Sequence, residues 1–194
     1  MASKSINVHG ENGAGKKTLI GSLIFRCGLE MQMLEQLKRN GIHQYADVVP
    51  YFEREGIPPS FYAKSAKFLV ERENQTPDVV FWLVDATDPG AAKTSSQRLA
   101  SMLAAATMNP KEKLLILVNK MDLTKWSEDA FQQVARQFRA LSLPKDKAFI
   151  IPVSSTEGTN MLSSPQDVPW MQTPPAGRSD ESEDLDQTLM DILG

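Results

Sequence analysis

Three stretches of the chain are almost unbroken apolar runs: VVFWLV at 79–84, LLILV at 114–118 and FIIPV at 149–153. Each stops at turn or polar residues, and none alternates with polar positions. That pattern predicts strands covered on both faces, as in a parallel sheet. Between the runs the period changes to that of a helix. KKTLIGSLIFRCG places Leu19, Leu23 and Ile24 on one stripe, with Gly28 as its C-cap. EMQMLEQLKRNG repeats the pattern and closes at Gly41. QYADVVPYFEREGIPPSF is broken by Pro50, Pro58 and Pro59, which predicts a short helix and then a loop. SAKFLVERENQ fits helix or strand and is read here as helix.

Helices are also predicted over AAKTSSQRLASMLAAATM and SEDAFQQVARQFRAL, the latter with Ser127 as N-cap, and over the terminal DLDQTLMDILG. A short β-leaning stretch, SINVHG, opens the chain. Strands and helices in alternation predict an α/β doubly wound fold, with its binding edge at the carboxyl ends of the strands. The domain reading is a core over 1–170, a flexible Pro/Ser/acidic loop over 171–184, and a C-terminal helix over 185–194.

Composition narrows the partners. A net charge of −3 argues against direct nucleic-acid binding as the main task. The lone cysteine, Cys27, rules out an internal disulfide and suits a reducing compartment. No run approaches membrane-spanning length and the N-terminus lacks a signal-peptide core, so the expected place is the cytoplasm, with no membrane partner.

Two motifs carry the chemistry. HGENGAGKKT, residues 9–18, nearly matches the phosphate-binding pattern G-x-x-x-x-G-K-[ST], with Lys17 where a hydroxyl belongs. Its expected phosphate contacts are Gly10, Gly13, Ala14, Gly15, Lys16, Lys17 and Thr18. The glycines let backbone N–H groups curl around an anion at a helix N-terminus, and Lys16 reaches the outer phosphates. Asn119-Lys120-Met121-Asp122 ends the run LLILV. There Asp122 can accept two hydrogen bonds from the N1–H and amine of guanine, Lys120 can stack on the base, and Asn119 can tie its loop to the phosphate loop. Adenine would leave that carboxylate unpaired, which is costly. Ser154, Ser155 and Thr156 follow the next run, the two serines placed to support the base edge with backbone N–H groups.

With these residues in view, the chain resembles the GTP-binding domain of translational GTPases, in the elongation factor 1-alpha branch. That branch also holds release-factor and ribosome-rescue GTPases and the superkiller-complex adaptor. The resemblance lies in GAGKKTLIGSLIFRCG, LLILVNKMDLTKWSEDAFQQV and FIIPVSSTEGTNMLSSPQDVPW, with Asn160-Met161-Leu162 and Pro169-Trp170 as a signature. It implies a P-loop NTPase-type sheet, mostly parallel and flanked by helices. It also implies GDP or GTP as ligand, and a protein partner near translation or mRNA surveillance.

The departures are as informative. The family's Mg²⁺-binding serine is Lys17, and the Thr of its Gly-Ile-Thr is Pro58. The D-x-P-G-H segment has no counterpart, and the stretch from Ile57 to Val79 is too short for both that segment and the family's β-hairpin. His9 and His43 are read as surface or packing residues. The expectation is a degenerate G domain with no catalytic residue and no metal ligand, Mg²⁺ not required, and the hairpin and second switch region shortened. An active GTPase with unorthodox metal ligands, for which Thr18 is the adjacent hydroxyl, and a scaffold that binds no nucleotide remain the alternatives.

Overall fold

The computed structural model describes residues 2–72, 74–144, 146–172, 185 and 187–194. Chain order runs β1 (Ala2–Gly10), α1 (Lys16–Cys27), α2 (Met31–Arg39), α3 (Tyr45–Arg54), β2 (Ser60–Tyr62), β3 (Ala66–Val70) and β4 (Val79–Asp85). It continues with α4 (Pro89–Ala104), β5 (Lys113–Asn119), α5 (Glu128–Arg139), β6 (Ala148–Pro152), α6 (Pro169–Gln172) and α7 (Leu189–Leu193). The strands form one sheet in the order β2-β3-β1-β4-β5-β6, parallel except where β2 meets β3.

The runs at 79–84 and 114–118 are central strands and the run at 149–153 is the edge strand β6, and the faces of these strands meet different helix layers. Phe81, Leu83, Leu115, Leu117 and Ile151 pack with Leu19, Leu23 and Ile24 of α1, Val48 and Phe52 of α3, and Ile192 of α7. Their alternates Val80, Trp82, Val84, Ile116 and Val118 pack with Leu99 of α4 and Phe131, Val134 and Phe138 of α5. Ser127 caps α5 as expected, its hydroxyl accepting the Ala130 N–H. Gly28 does cap α1, but in an ordinary conformation with φ −138°. A Cβ there would stand 2.7 Å from the Ser60 carbonyl, so close approach requires glycine, not backbone handedness.

Three expectations change. Among its described residues SAKFLVERENQ is not helical: its first half is strand β3, whose Ala66 and Phe68 are buried while Lys67 and Leu69 are less so. Pro50 does not break its helix but sits inside α3, where Val48, Val49, Tyr51 and Phe52 are buried. That packing outweighs one lost backbone hydrogen bond. The proposed loop 171–184 begins too early, since Met171 and Gln172 close α6, and its remainder, 173–184, lies outside the described residues.

The β2–β3 hairpin is present but short, and its register decides what it can reach. β3 pairs with β1 from Ala2 to Ile6, whereas β4 pairs with β1 from Ile6 to Gly10. The two neighbours of β1 are therefore staggered along it, meeting only at Ile6. A parallel crossover normally needs a helix to carry the chain back. Here the described residues between Glu71 and Asp78 simply step across β1 at one level. Glu71 N–H donates to the Ile6 carbonyl at 2.9 Å, and Asn7 Nδ2 donates to the Asn74 carbonyl. Ser5 N–H and Oγ both reach Asp78 Oδ2, at 2.7 and 3.0 Å. The hairpin stops about 13 Å of strand, four residues, short of Gly10.

Candidate nucleotide site

The strands deliver their ends to one edge. Gly10 pairs with Leu83, Asp85 with Asn119, and Val118 with Pro152. β1 turns sharply at Gly10, with φ 134°, where a Cβ would lie 2.3 Å from the Leu83 carbonyl. Gly13 and Gly15 also take positive φ, 82° and 97°. Ala14 between them is buried, and α1 starts at Lys16. The Lys16 ammonium bonds the loop's own carbonyls, Gly10 at 2.7 Å and Glu11 at 2.8 Å. Burial and then the nearby Arg98 lower its pKa, with Glu11 opposing. Lys17 is exposed, and among the described residues its ammonium has no hydrogen-bond or ion-pair partner. Thr18 is half-buried beside it on α1.

The other end of the site is far more constrained. Asn119 is 1% exposed and uses its amide on two segments at once. Its Nδ2 donates to the Ala14 carbonyl at 2.8 Å, and its Oδ1 accepts from Ser155 N–H and Oγ at 3.0 and 2.8 Å. Gly15 is needed for this bridge, because a Cβ there would come within 2.4 Å of Asn119 Nδ2. Lys120, with φ 67°, pairs with Asp85 Oδ2, while Thr87 N–H and Oγ1 donate to Asp85 Oδ1. Burial alone would raise the Asp85 pKa; the bonds from Lys120 and Thr87 outweigh it and hold the carboxyl below its usual value. Met121 is buried and donates its N–H to the Val153 carbonyl at 3.2 Å. Asp122 is half-buried, and among the described residues no donor reaches its carboxylate.

The signature residues brace this end. Trp170 Nε1 donates to the Trp126 carbonyl at 2.8 Å and its ring stacks on Phe131. Asn160, fully buried with φ 57°, donates from Nδ2 to the Pro152 carbonyl at 2.8 Å. The two serines do something other than expected. Ser154 N–H bonds the Thr159 carbonyl and Ser155 N–H bonds Asn119, so both donors stabilise the loop itself and neither is open to a base. Thr156 is exposed on the turn that follows. Asp85 and Arg98 belong to the edge too and had no motif to mark them, whereas Glu11 lies inside the phosphate-loop motif itself.

The donors for Mg²⁺ do not fit. Lys17 stands at the hydroxyl position, and Pro58 is nowhere near the phosphate loop. Pro58 helps line a cavity of about 260 Å³ with Leu29, Met33 and Phe52, beyond the C-terminal end of α1. α1 has 12 residues, so the loop lies at its opposite end, about 18 Å away. Among the described residues no three of His, Cys, Asp or Glu come together as a metal site. A guanine nucleotide fits better: glycine-shaped cradle at one end, unpaired carboxylate at the other. Among the described residues, no helix is long and apolar enough to cross a membrane.

Residues 71–171 match the model of the ADP-ribosylation factor family, a span that includes the Asn119–Asp122 tetrad but not the phosphate loop. The chain is 24% identical over 205 aligned residues to an elongation factor 1-alpha of Mucor circinelloides f. lusitanicus, covering 87% of this chain and 44% of that protein. It is 25% identical to the elongation factor 1-alpha of Sordaria macrospora, covering 86% and 44%. The chain thus spans less than half the length of these curated relatives. Among solved structures, the Ski7 GTPase-like domain of S. cerevisiae bound to GTP superposes with TM-score 0.64 at 16% identity, covering 99% of this chain and 49% of that one. Sup35 complexed with GMPPNP superposes with TM-score 0.60 at 20% identity, covering 89% and 42%.

Proposed function

We propose a function from one premise: the chain belongs to the ADP-ribosylation factor family, and it is a G domain of the elongation factor 1-alpha branch. On our reading it binds guanine nucleotide, GDP or GTP, without Mg²⁺ and without turning it over, as a pseudo-GTPase. It works as an interaction module in the cytoplasm, presenting its surface to a protein partner near translation or mRNA surveillance. The base is read by Asp122, Lys120 stacks on it, and Asn119 keeps the two loops together. Gly10, Gly13, Ala14, Gly15, Lys16, Lys17 and Thr18 cradle the phosphates.

One observation carries this reading. The base end is already assembled, with Asn119 bonded to both Ala14 and Ser155 and the Asp122 carboxylate left open. The phosphate end has no hydroxyl at residue 17 and no side chain from the hairpin within reach. Phosphoryl transfer needs a metal bridging the outer phosphates and a residue to orient water. The kinship with elongation factors supports the setting.

Nucleotide extraction from the purified protein, followed by calorimetry with GDP, GTP and ATP in EDTA, tests the proposal. GDP or GTP should bind and ATP should not. No binding of either guanine nucleotide would leave a scaffold that needs no ligand. Multiple turnovers of GTP, lost in Lys16→Ala, would make the protein a working GTPase.

A further inference from the structure

Among the charged residues at the phosphate loop, Arg98 has no part in the contacts assigned so far. It lies on α4, and its Nη1 stands 3.4 Å from Oε1 of Glu11, the second residue of the loop. The guanidinium carbon is 6.0 Å from the centre of the Trp82 ring, within cation–π range. Trp82 is itself fixed, its Nε1 donating to Ser95 Oγ at 3.0 Å on the same helix and its ring stacked on His9. Arg98 is thus held over the loop by its neighbours. After burial, its charge is the largest influence lowering the pKa of both Lys16 and His9.

Glu11 is the odd partner in this arrangement. A carboxylate in a loop shaped for a polyanion would repel its ligand, unless a cation neutralises it. Arg98 does so, while Lys16 is occupied by the carbonyls of Gly10 and Glu11. Both cations therefore rest on groups belonging to the loop. The Arg98 and Glu11 side chains are 51% and 39% exposed, so parting them requires little rearrangement of a buried pair. Phosphate oxygens carry more charge than one carboxylate and match the guanidinium fork. With no cluster of three His, Cys, Asp or Glu among the described residues to hold a metal, side chains have to meet the charge of the outer phosphates.

We infer that Arg98 is a phosphate-binding residue of this site, held on Glu11 until the outer phosphates of a guanine nucleotide take that carboxylate's place. The inference rests on the guanine-nucleotide reading above. The two separate cleanly when GMP, GDP and GTP are titrated in EDTA against wild type, Arg98→Gln, Glu11→Gln and Asp122→Ala. Arg98→Gln should weaken GTP tenfold or more and change GMP by less than twofold, since GMP has no outer phosphate. Glu11→Gln should tighten GTP threefold or more, because the competing carboxylate is gone. That second variant keeps the test alive if circular dichroism shows that Arg98→Gln has lost its fold. GTP affinities within twofold of wild type in both variants, with Asp122→Ala still weakening binding tenfold or more, would overturn the role of Arg98 and leave the base reading intact. Equal weakening of GMP and GTP by Arg98→Gln would also overturn it, by showing an effect on the fold. If wild type binds none of the three at millimolar concentration, the guanine reading falls and Arg98 loses its ligand with it.

Discussion

The two halves of this sheet are built to different lengths. From β4 to β6 the strands are buried over most of their length, paired over five to seven residues, and end together at Asp85, Asn119 and Pro152. On the other side of β1 the hairpin is three residues against three and stops at the level of Ile6. The first half carries groups whose job is to hold a shape, and those groups are bonded to one another. The second half is where a catalytic G domain needs chain length, to bring a metal ligand and a water-positioning residue up to the phosphates.

The largest effect should come from breaking the base end. Asp122→Ala should weaken GDP by about 2–3 kcal/mol, the cost of leaving two guanine donors unmatched, and Asp122→Asn should turn the preference toward xanthosine nucleotides. Calorimetry decides it, and equal affinities of wild type for GDP and ATP would remove the contrast between the halves. Next comes Asn119→Ala, which leaves the Ala14 carbonyl and Ser155 N–H without their bonds. Urea unfolding should show a loss of about 2 kcal/mol. Lys17→Ala, exposed at the phosphate end, should stay within about 0.5 kcal/mol of wild type; comparable losses would mean the two ends are equally built in.

A smaller effect is expected in acid. The Asp78 carboxyl is held below its ordinary value chiefly by the Ser5 N–H, and the Asp85 carboxyl by Lys120 and Thr87 against its burial. Carboxyls with lowered folded pKa values stabilise fully above the unfolded value of 3.8 and lose that contribution as pH falls through the folded value. The urea midpoint should therefore drop below pH 4, and Asp78→Asn should flatten the drop; an unchanged slope would remove Asp78 from the account. The smallest effect is assigned to metal. Chelation should change GDP affinity by less than tenfold, about 1.4 kcal/mol, and Lys17→Ser should release no phosphate above buffer, because Pro58 lies at the far end of α1.

Sequence reading recovered most of the well-paired half. VVFWLV and LLILV can only be strands buried on both faces, and Ser127 announced its helix with a hydroxyl in the capping position. The tetrad at 119–122 was legible because it sits where a strand must end. The short half was harder. AKFLV alternates over too few residues, and the helix-forming ERENQ behind it hid the strand. Pro50 misled because a breaker residue says nothing about the core that overrides it. The bonds of Ser155 to Asn119 and of Arg98 to Glu11 span 36 and 87 residues. No local pattern encodes such pairs; only the folded edge brings them together.

The step of residues 71–78 across β1 has one more consequence. A molecular switch works by slack: a segment free to swing turns chemistry at one point into motion at another. Here the described part of that segment is bolted to Ser5, Ile6 and Asn7 in passing, with little length left over. Among the described residues, this segment gives a ligand seated in the loop little to pull on. What it can still change is how long the fold lasts, because a ligand at a hundred times its Kd adds about 2.7 kcal/mol to stability. Such a domain would signal by persistence instead of posture, surviving while supplied and vanishing sooner when starved.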